Sequence, residues 1–232
     1  MKTSKDYRID AENLLRGKYT EIIVTFLAFS VVSGLLGFIY SEFAPKYDYA
    51  TMVVIDNGQP FLAFIVNVLN FMFTVGFMYA IFYITIRIID NKVIDIKEAF
   101  MSGFKNNYSR NLGLHILMAL YTFLWALLFI IPGIVKSYAY SMSFYLVNKE
   151  PELKSSDAID KSRELMNGYK MNLFILDLSY IGWYLLSILT FGILLLWVVP
   201  RHYTARTLMY DYIYNRRHPK ENVQVKEEPE LI

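Results

Sequence analysis

The chain is organised around apolar blocks too long to be buried in a globular core. A hydrocarbon layer of about 30 Å takes about 20 apolar residues as helix. The first block runs from Ile22 to Tyr40 and the second from Phe61 to Ile89. The second is longer than one crossing needs, so it tilts or extends beyond the hydrocarbon. The third, Leu112 to Val147, is long enough for two crossings, and Pro132-Gly133 inside it is a turn signal. It therefore reads as a hairpin of 112–131 and 133–147. The fourth, Leu173 to Tyr214, divides at Thr190-Phe191-Gly192 into 173–189 and 193–214. The blocks are continuous rather than alternating, which argues against a membrane barrel and against strands. The expected fold is an all-α membrane protein with six transmembrane helices in three hairpins.

The basic residues give an independent test. Five precede the first block (Lys2, Lys5, Arg8, Arg16, Lys18), and five surround the second-to-third connection. Five more lie between the fourth and fifth spans, and six at the end of the sixth and in the tail, so these regions hold 21 of the 23 Lys and Arg. Lys46 lies in the loop 41–60, which otherwise carries Glu42, Asp48 and Asp56; Lys136 lies just below a turn on the same side. The positive-inside rule then puts both termini in the cytoplasm. The first block exceeds signal-peptide length and lacks a small-x-small cleavage site, so it reads as an uncleaved anchor. Residues 215–232 hold two prolines and mixed charges and read as a flexible cytoplasmic tail.

Composition removes many activities. There is no cysteine, so thiolate metal sites, disulfides and cysteine nucleophiles are excluded. The three histidines, His115, His202 and His218, are far apart, and no metal site or cofactor is expected. A net charge of +2 gives no field toward nucleic acid. No phosphate loop, dinucleotide fingerprint, zinc-protease or nucleophile-elbow motif is present.

A short amphipathic stretch on the inner side precedes each hairpin. Ala11 to Tyr19 contains Leu14-Leu15-Arg16-Gly17-Lys18-Tyr19, and 158–170 contains Leu165-Met166-Asn167-Gly168-Tyr169-Lys170. Each has an apolar pair, a polar residue, glycine, and a tyrosine beside a lysine, which marks an internal repeat. The middle copy, Ala99 to Tyr108, is degenerate, and Asp95-x-x-Glu98 has the form of a capping box. Such helices are expected in the anionic inner headgroup layer, with the glycine as an elbow.

The segment Ala158-Ile159, Ser162-Arg163, Leu165-Met166, Gly168-Tyr169-Lys170, Phe174 and Asp177-Leu178 continues through Gly182-Trp183, Thr190-Phe191-Gly192-Ile193, Trp197, Pro200 and Tyr203. With Ile131-Pro132-Gly133-Ile134, it resembles an uncharacterised bacterial family of multi-pass integral membrane proteins. More distantly, it is similar to the membrane domain attached to some glycerophosphodiester phosphodiesterases, whose catalytic barrel has no counterpart here. The resemblance implies a bacterial cytoplasmic-membrane location and no catalytic residues.

Ionisable residues within a span are functional candidates because each is costly there. Arg201, His202 and Arg206 lie on the sixth span and Asp177 on the fifth. Arg201 with His202 is read as a cavity or binding site. Arg206 is read as snorkelling to the inner headgroups, with pairing to Asp177 as the alternative. Asn67, Asn70 and Thr74 form a polar stripe on the second span, read as interhelical hydrogen bonding. Ser30/Gly34 and Ser33/Gly37 read as a close helix contact, and His115 as exposed. The function expected is a non-enzymatic bundle that binds inner-leaflet anionic lipids or a protein partner, including a second copy. The alternative is a small transporter or lipid translocator using Arg201 and His202. An intramembrane enzyme would have only Asp177, His202 and Asp211 to converge, and ranks last.

Overall fold

The computed structural model describes residues 2–48, 53–106 and 108–217. Helix α1 (Ser4–Leu15) opens at a capping box. Thr3 Oγ1 accepts from the Asp6 N–H at 3.3 Å, and the Asp6 carboxylate accepts from the Thr3 N–H at 2.8 Å. Gly17 then turns the chain at φ +78°, a conformation that glycine enters without strain, into α2 (Tyr19–Phe43). A two-stranded antiparallel hairpin follows, β1 (Lys46–Asp48) and β2 (Val53–Asp56), with Tyr47 opposite Val54. This is a departure from the strand-free expectation. β-Branched Val53, Val54 and Ile55 suit a pleated pair outside the apolar blocks.

Helix α3 (Pro60–Ile89) has proline at its first position, where no N–H is needed. Short α4 (Ile96–Met101) is capped by the Asp95 side chain, which accepts from the Glu98 N–H at 3.0 Å. It passes into one π-helical turn, Ser102–Asn106. Gly103 packs there on Gly76 of α3; a Cβ at 103 would lie 2.6 Å from the Gly76 carbonyl oxygen.

Helix α5 (Tyr108–Leu128) ends at Phe129, and α6 (Ile130–Tyr140) begins immediately after it. The turn expected at Pro132-Gly133 therefore lies three residues earlier. Pro132 is instead the third residue of α6, within the first turn, where its missing N–H has no intrahelical partner to lose. Gly133 allows α5 and α6 to meet, since a Cβ there would lie 2.8 Å from the Ala126 backbone. The span expected over 133–147 is also broken. It divides at Ser141-Met142 into α6 and α7 (Ser143–Lys149). Ser162 of α8 (Ser155–Leu165) fills the break: its hydroxyl donates to the Ala139 carbonyl at 2.8 Å and accepts from the Met142 N–H at 3.2 Å.

Gly168, at φ +85°, turns α8 into α9 (Lys170–Leu189). The expected turn at 190–192 is present, with Phe191 and Gly192 both at positive φ, and α10 (Leu195–Arg217) follows. Asn215 to Arg217 belong to α10 rather than to a tail; 218–232 lie outside the described residues.

Among the described residues, four helices are long and apolar enough to cross a membrane: α2, α3, α5 and α9. They make the chain a membrane protein. Helices α6 and α7 are individually too short, and α10 is long but polar. Helix α10 contacts α1, α2, α3, α8 and α9, and buries Val198, Thr204, Ala205, Thr207, Met209, Tyr210 and Ile213 among them. Thr207 and Thr85 of α3 are hydrogen-bonded at 3.0 Å in that core. Outward-facing apolar side chains cluster at the hairpin tips, where Phe129 is 74% and Phe191 98% exposed. Such exposure suits a chain seated in a membrane. Helices α1 and α8 do more than rest at a surface. Tyr7, Ala11 and Leu15 of the first and Ala158, Ile159 and Leu165 of the second are buried in the core.

Candidate functional site

A helix places residues i and i+4 on one face and turns i+1 away by about a quarter of a circle. Along α10 this separates the polar residues into two groups. His202 and Arg206 face α9, where Asp177 sits seven residues into the helix. His202 Nε2 lies 2.7 Å from Asp177 Oδ1, and its Nδ1 lies 2.8 Å from the Tyr184 hydroxyl. Its ring stacks on Tyr180 with centroids 4.5 Å apart. Arg206 Nε lies 3.7 Å from the same Asp177 oxygen and donates to the Tyr210 hydroxyl at 3.2 Å. Tyr138 of α6 brings its hydroxyl close to the Asp177 carboxylate. The Asp177 side chain is 19% exposed and that of His202 12%. Arg206 is thus held beside Asp177, rather than snorkelling as the sequence reading favoured. A single carboxylate meets two bases inside the bundle.

Arg201 lies on another face, apart from His202. Its Nε donates to the Tyr19 hydroxyl at 2.7 Å, and Nη2 is 3.3 Å from Glu12. Arg8 of α1 approaches the same place. It donates to the Ser179 carbonyl at 3.2 Å, with its guanidinium 5.9 Å from the Tyr180 ring centroid. The two arginines, Glu12, Tyr180, Trp183 and Trp197 enclose a notch of about 100 Å³ between α1, α9 and α10.

Asn67 and Asn70 join neither group. Asn67 is exposed and Asn70 half-buried, with its Oδ1 unpartnered. They precede Met78, an α3 residue that reaches Tyr203, by eleven and eight residues, or about 16 and 12 Å of helix. Thr74 donates to the Asn70 carbonyl rather than to another helix. The small faces at Gly34 and Gly37 are open within the chain, with nothing near where a Cβ would stand. His115, expected to be exposed, is half-buried between Phe71 and Phe144, and its Nδ1 has no partner. Lys136 lies over the Trp125 ring at 4.2 Å.

At the C-terminal end of α3, Lys149 bridges Asp90 at 3.2 Å and Asp211 at 3.3 Å. Burial pushes the Asp90 carboxyl up, but Lys92 and Lys149 outweigh it and hold the group below the usual range. Burial pushes the Tyr7 phenol up to about 12. Among the described residues, no group of three His, Cys, Asp or Glu is placed to hold a metal ion.

A family model described as "Protein of unknown function (DUF975)" matches residues 1–136 and 127–217. The chain belongs to the DUF975 family. No curated protein and no solved structure matches it. The two matched stretches of this DUF975 chain include Glu12, Arg201 and the Asp177–His202–Arg206 cluster. Sequence reasoning missed Arg8, Glu12, Tyr19, Tyr138 and Tyr184. The polar face of α1 carried the signal for the first two; the tyrosines carried none beyond their number.

Proposed function

We propose that this protein is a non-enzymatic bundle of the bacterial cytoplasmic membrane that binds an anionic phospholipid of the inner leaflet. The observation that carries the reading is the notch between Arg8 and Arg201. Two guanidiniums against one carboxylate, Glu12, leave a surplus positive charge, and forked guanidiniums match phosphate oxygens. Trp183 and Trp197 add apolar indole surface beside it. Arg201 is tied to Tyr19, the first residue of α2, so the notch stands near that span's inner end.

The test is native mass spectrometry of the full chain titrated with phosphatidylglycerol and with phosphatidylcholine. The expected result is preference for phosphatidylglycerol, weakened about tenfold by Arg8→Gln with Arg201→Gln and unchanged by Arg163→Gln on α8. Equal retention of both lipids, or no loss in the double variant, overturns the reading.

The proposed topology has six crossings with both termini inside. Helices α6 and α7 together form one crossing, and α10 the last, its polar residues sheltered by the five helices around it. The absence of native cysteine makes single-cysteine labelling clean. Tyr47→Cys, Phe129→Cys and Phe191→Cys are expected to react with an impermeant maleimide on intact cells, and Asp157→Cys only after permeabilisation. If Tyr47→Cys alone reacts from outside, the two apolar hairpins end within the bilayer and six crossings are wrong.

The Asp177–His202–Arg206 cluster favours a second reading, a small transporter or lipid translocator. Transport in vesicles that is lost in Asp177→Asn, with lipid retention at the notch intact, would support it.

A further inference from the structure

The polar cluster on α9 and α10 faces a cavity of about 350 Å³ on which six helices converge. Arg206, Asp177 and Tyr138 line it, with His115; Met78, Phe82 and Met118 form apolar wall. A groove of about 400 Å³ shares His115, Met118, Ser137 and Phe144 with it and continues along α5 past Ala119, Thr122 and Phe123 to Ala126. From His115 to Ala126 is about 16 Å of helix. Ala119 and Phe123 are exposed on the outside of the bundle, so the groove is open to lipid.

The free hydrogen-bonding capacity among these polar groups is mostly that of donors. The two terminal nitrogens of Arg206 make no hydrogen bond among the described residues, and Nε is already used by Tyr210. The Ser137 and Ser141 hydroxyls spend their protons on the Ile134 and Tyr138 carbonyls. Asp177 is already engaged by His202, Arg206 and Tyr138. The open fork of Arg206 is suited to a carboxylate, which accepts two parallel N–H bonds.

We infer that this cavity and groove together bind a single-chain carboxylate, a fatty-acid anion, with its head on the Arg206 fork and its chain along α5. A small head suits a cavity of this volume lined by six helices, and the groove gives one chain a path in from the bilayer. This site lies on a different face of α10 from the notch and stands or falls separately.

The experiment uses the full chain in nanodiscs, with palmitate and palmitate methyl ester as probes, read by native mass spectrometry. Palmitate is expected to be retained and its ester, which lacks the charge, to bind about tenfold more weakly. Arg206→Gln should abolish that difference. Because this variant disturbs the cluster, Ala119→Trp, which fills the groove without touching the charges, is the second. It should weaken palmitate about tenfold and leave phosphatidylglycerol retention at the notch unchanged. Equal binding of acid and ester by the unaltered chain, palmitate retention unaffected by Ala119→Trp, or displacement of palmitate by phosphatidylglycerol at equal concentration overturns the inference.

Discussion

Replacing Asp177 by leucine is expected to be among the most destabilising single changes in the protein, costing about 3–5 kcal/mol. Asp177 is the carboxylate that His202 meets at 2.7 Å and Arg206 at 3.7 Å. Its removal leaves a guanidinium without a counter-charge among apolar helices. The charge cannot leave by deprotonation, because arginine stays ionised. Thermal unfolding of the purified chain in one detergent, followed by helix content, is the measurement. Asp177→Asn keeps the hydrogen-bonding shape and should lose less. The double variant Asp177→Leu with Arg206→Met should recover much of the loss, since removing both partners removes the uncompensated charge. An Asp177→Leu chain that melts with the unaltered one would show that the cluster is solvated and carries no structural charge pairing.

That cluster was half legible in the sequence. The cost of charge in a membrane singled out Arg201, His202, Arg206 and Asp177, and His202, Arg206 and Asp177 do meet. Grouping Arg201 with His202 followed adjacency along the chain, whereas helical phase separates neighbours and joins residues four apart. Applied to α10, phase alone would have paired His202 with Arg206 and sent Arg201 elsewhere. What no phase rule supplies is the partner: Glu12 and Tyr19 reach Arg201 from more than 180 residues away. The long helices were legible because length and continuous hydropathy are local properties. The hairpin turn was misplaced because proline was read as a breaker, although in a first turn it is a helix starter. Asn67 and Asn70 were chosen for their spacing, which says that they share a face but not what the face meets.

Ser162→Ala carries the second large expected effect, and it concerns the break no local signal announced. Helix α6 stops at Tyr140 and α7 starts at Ser143, which strands a carbonyl at Ala139 and an N–H at Met142 inside the core. Water cannot reach them, since Ala139, Met142 and Ser162 are all buried. One hydroxyl from a helix twenty residues further on serves both groups. Without it, each orphaned group costs about 1–3 kcal/mol. Ser156→Ala, on the exposed side of the same helix, is the control and should change stability by about 0.5 kcal/mol or less. Hydrogen exchange separates this cause from general loosening: the Met142 amide should lose protection in Ser162→Ala before the amides of α9 do. If Met142 remains as protected as in the unaltered chain, the break is closed by its own backbone, and Ser162 is only a small residue at a tight contact. If protection falls there first, the serine that sequence reading placed on an interfacial helix is the residue that allows α6 and α7 to be separate helices.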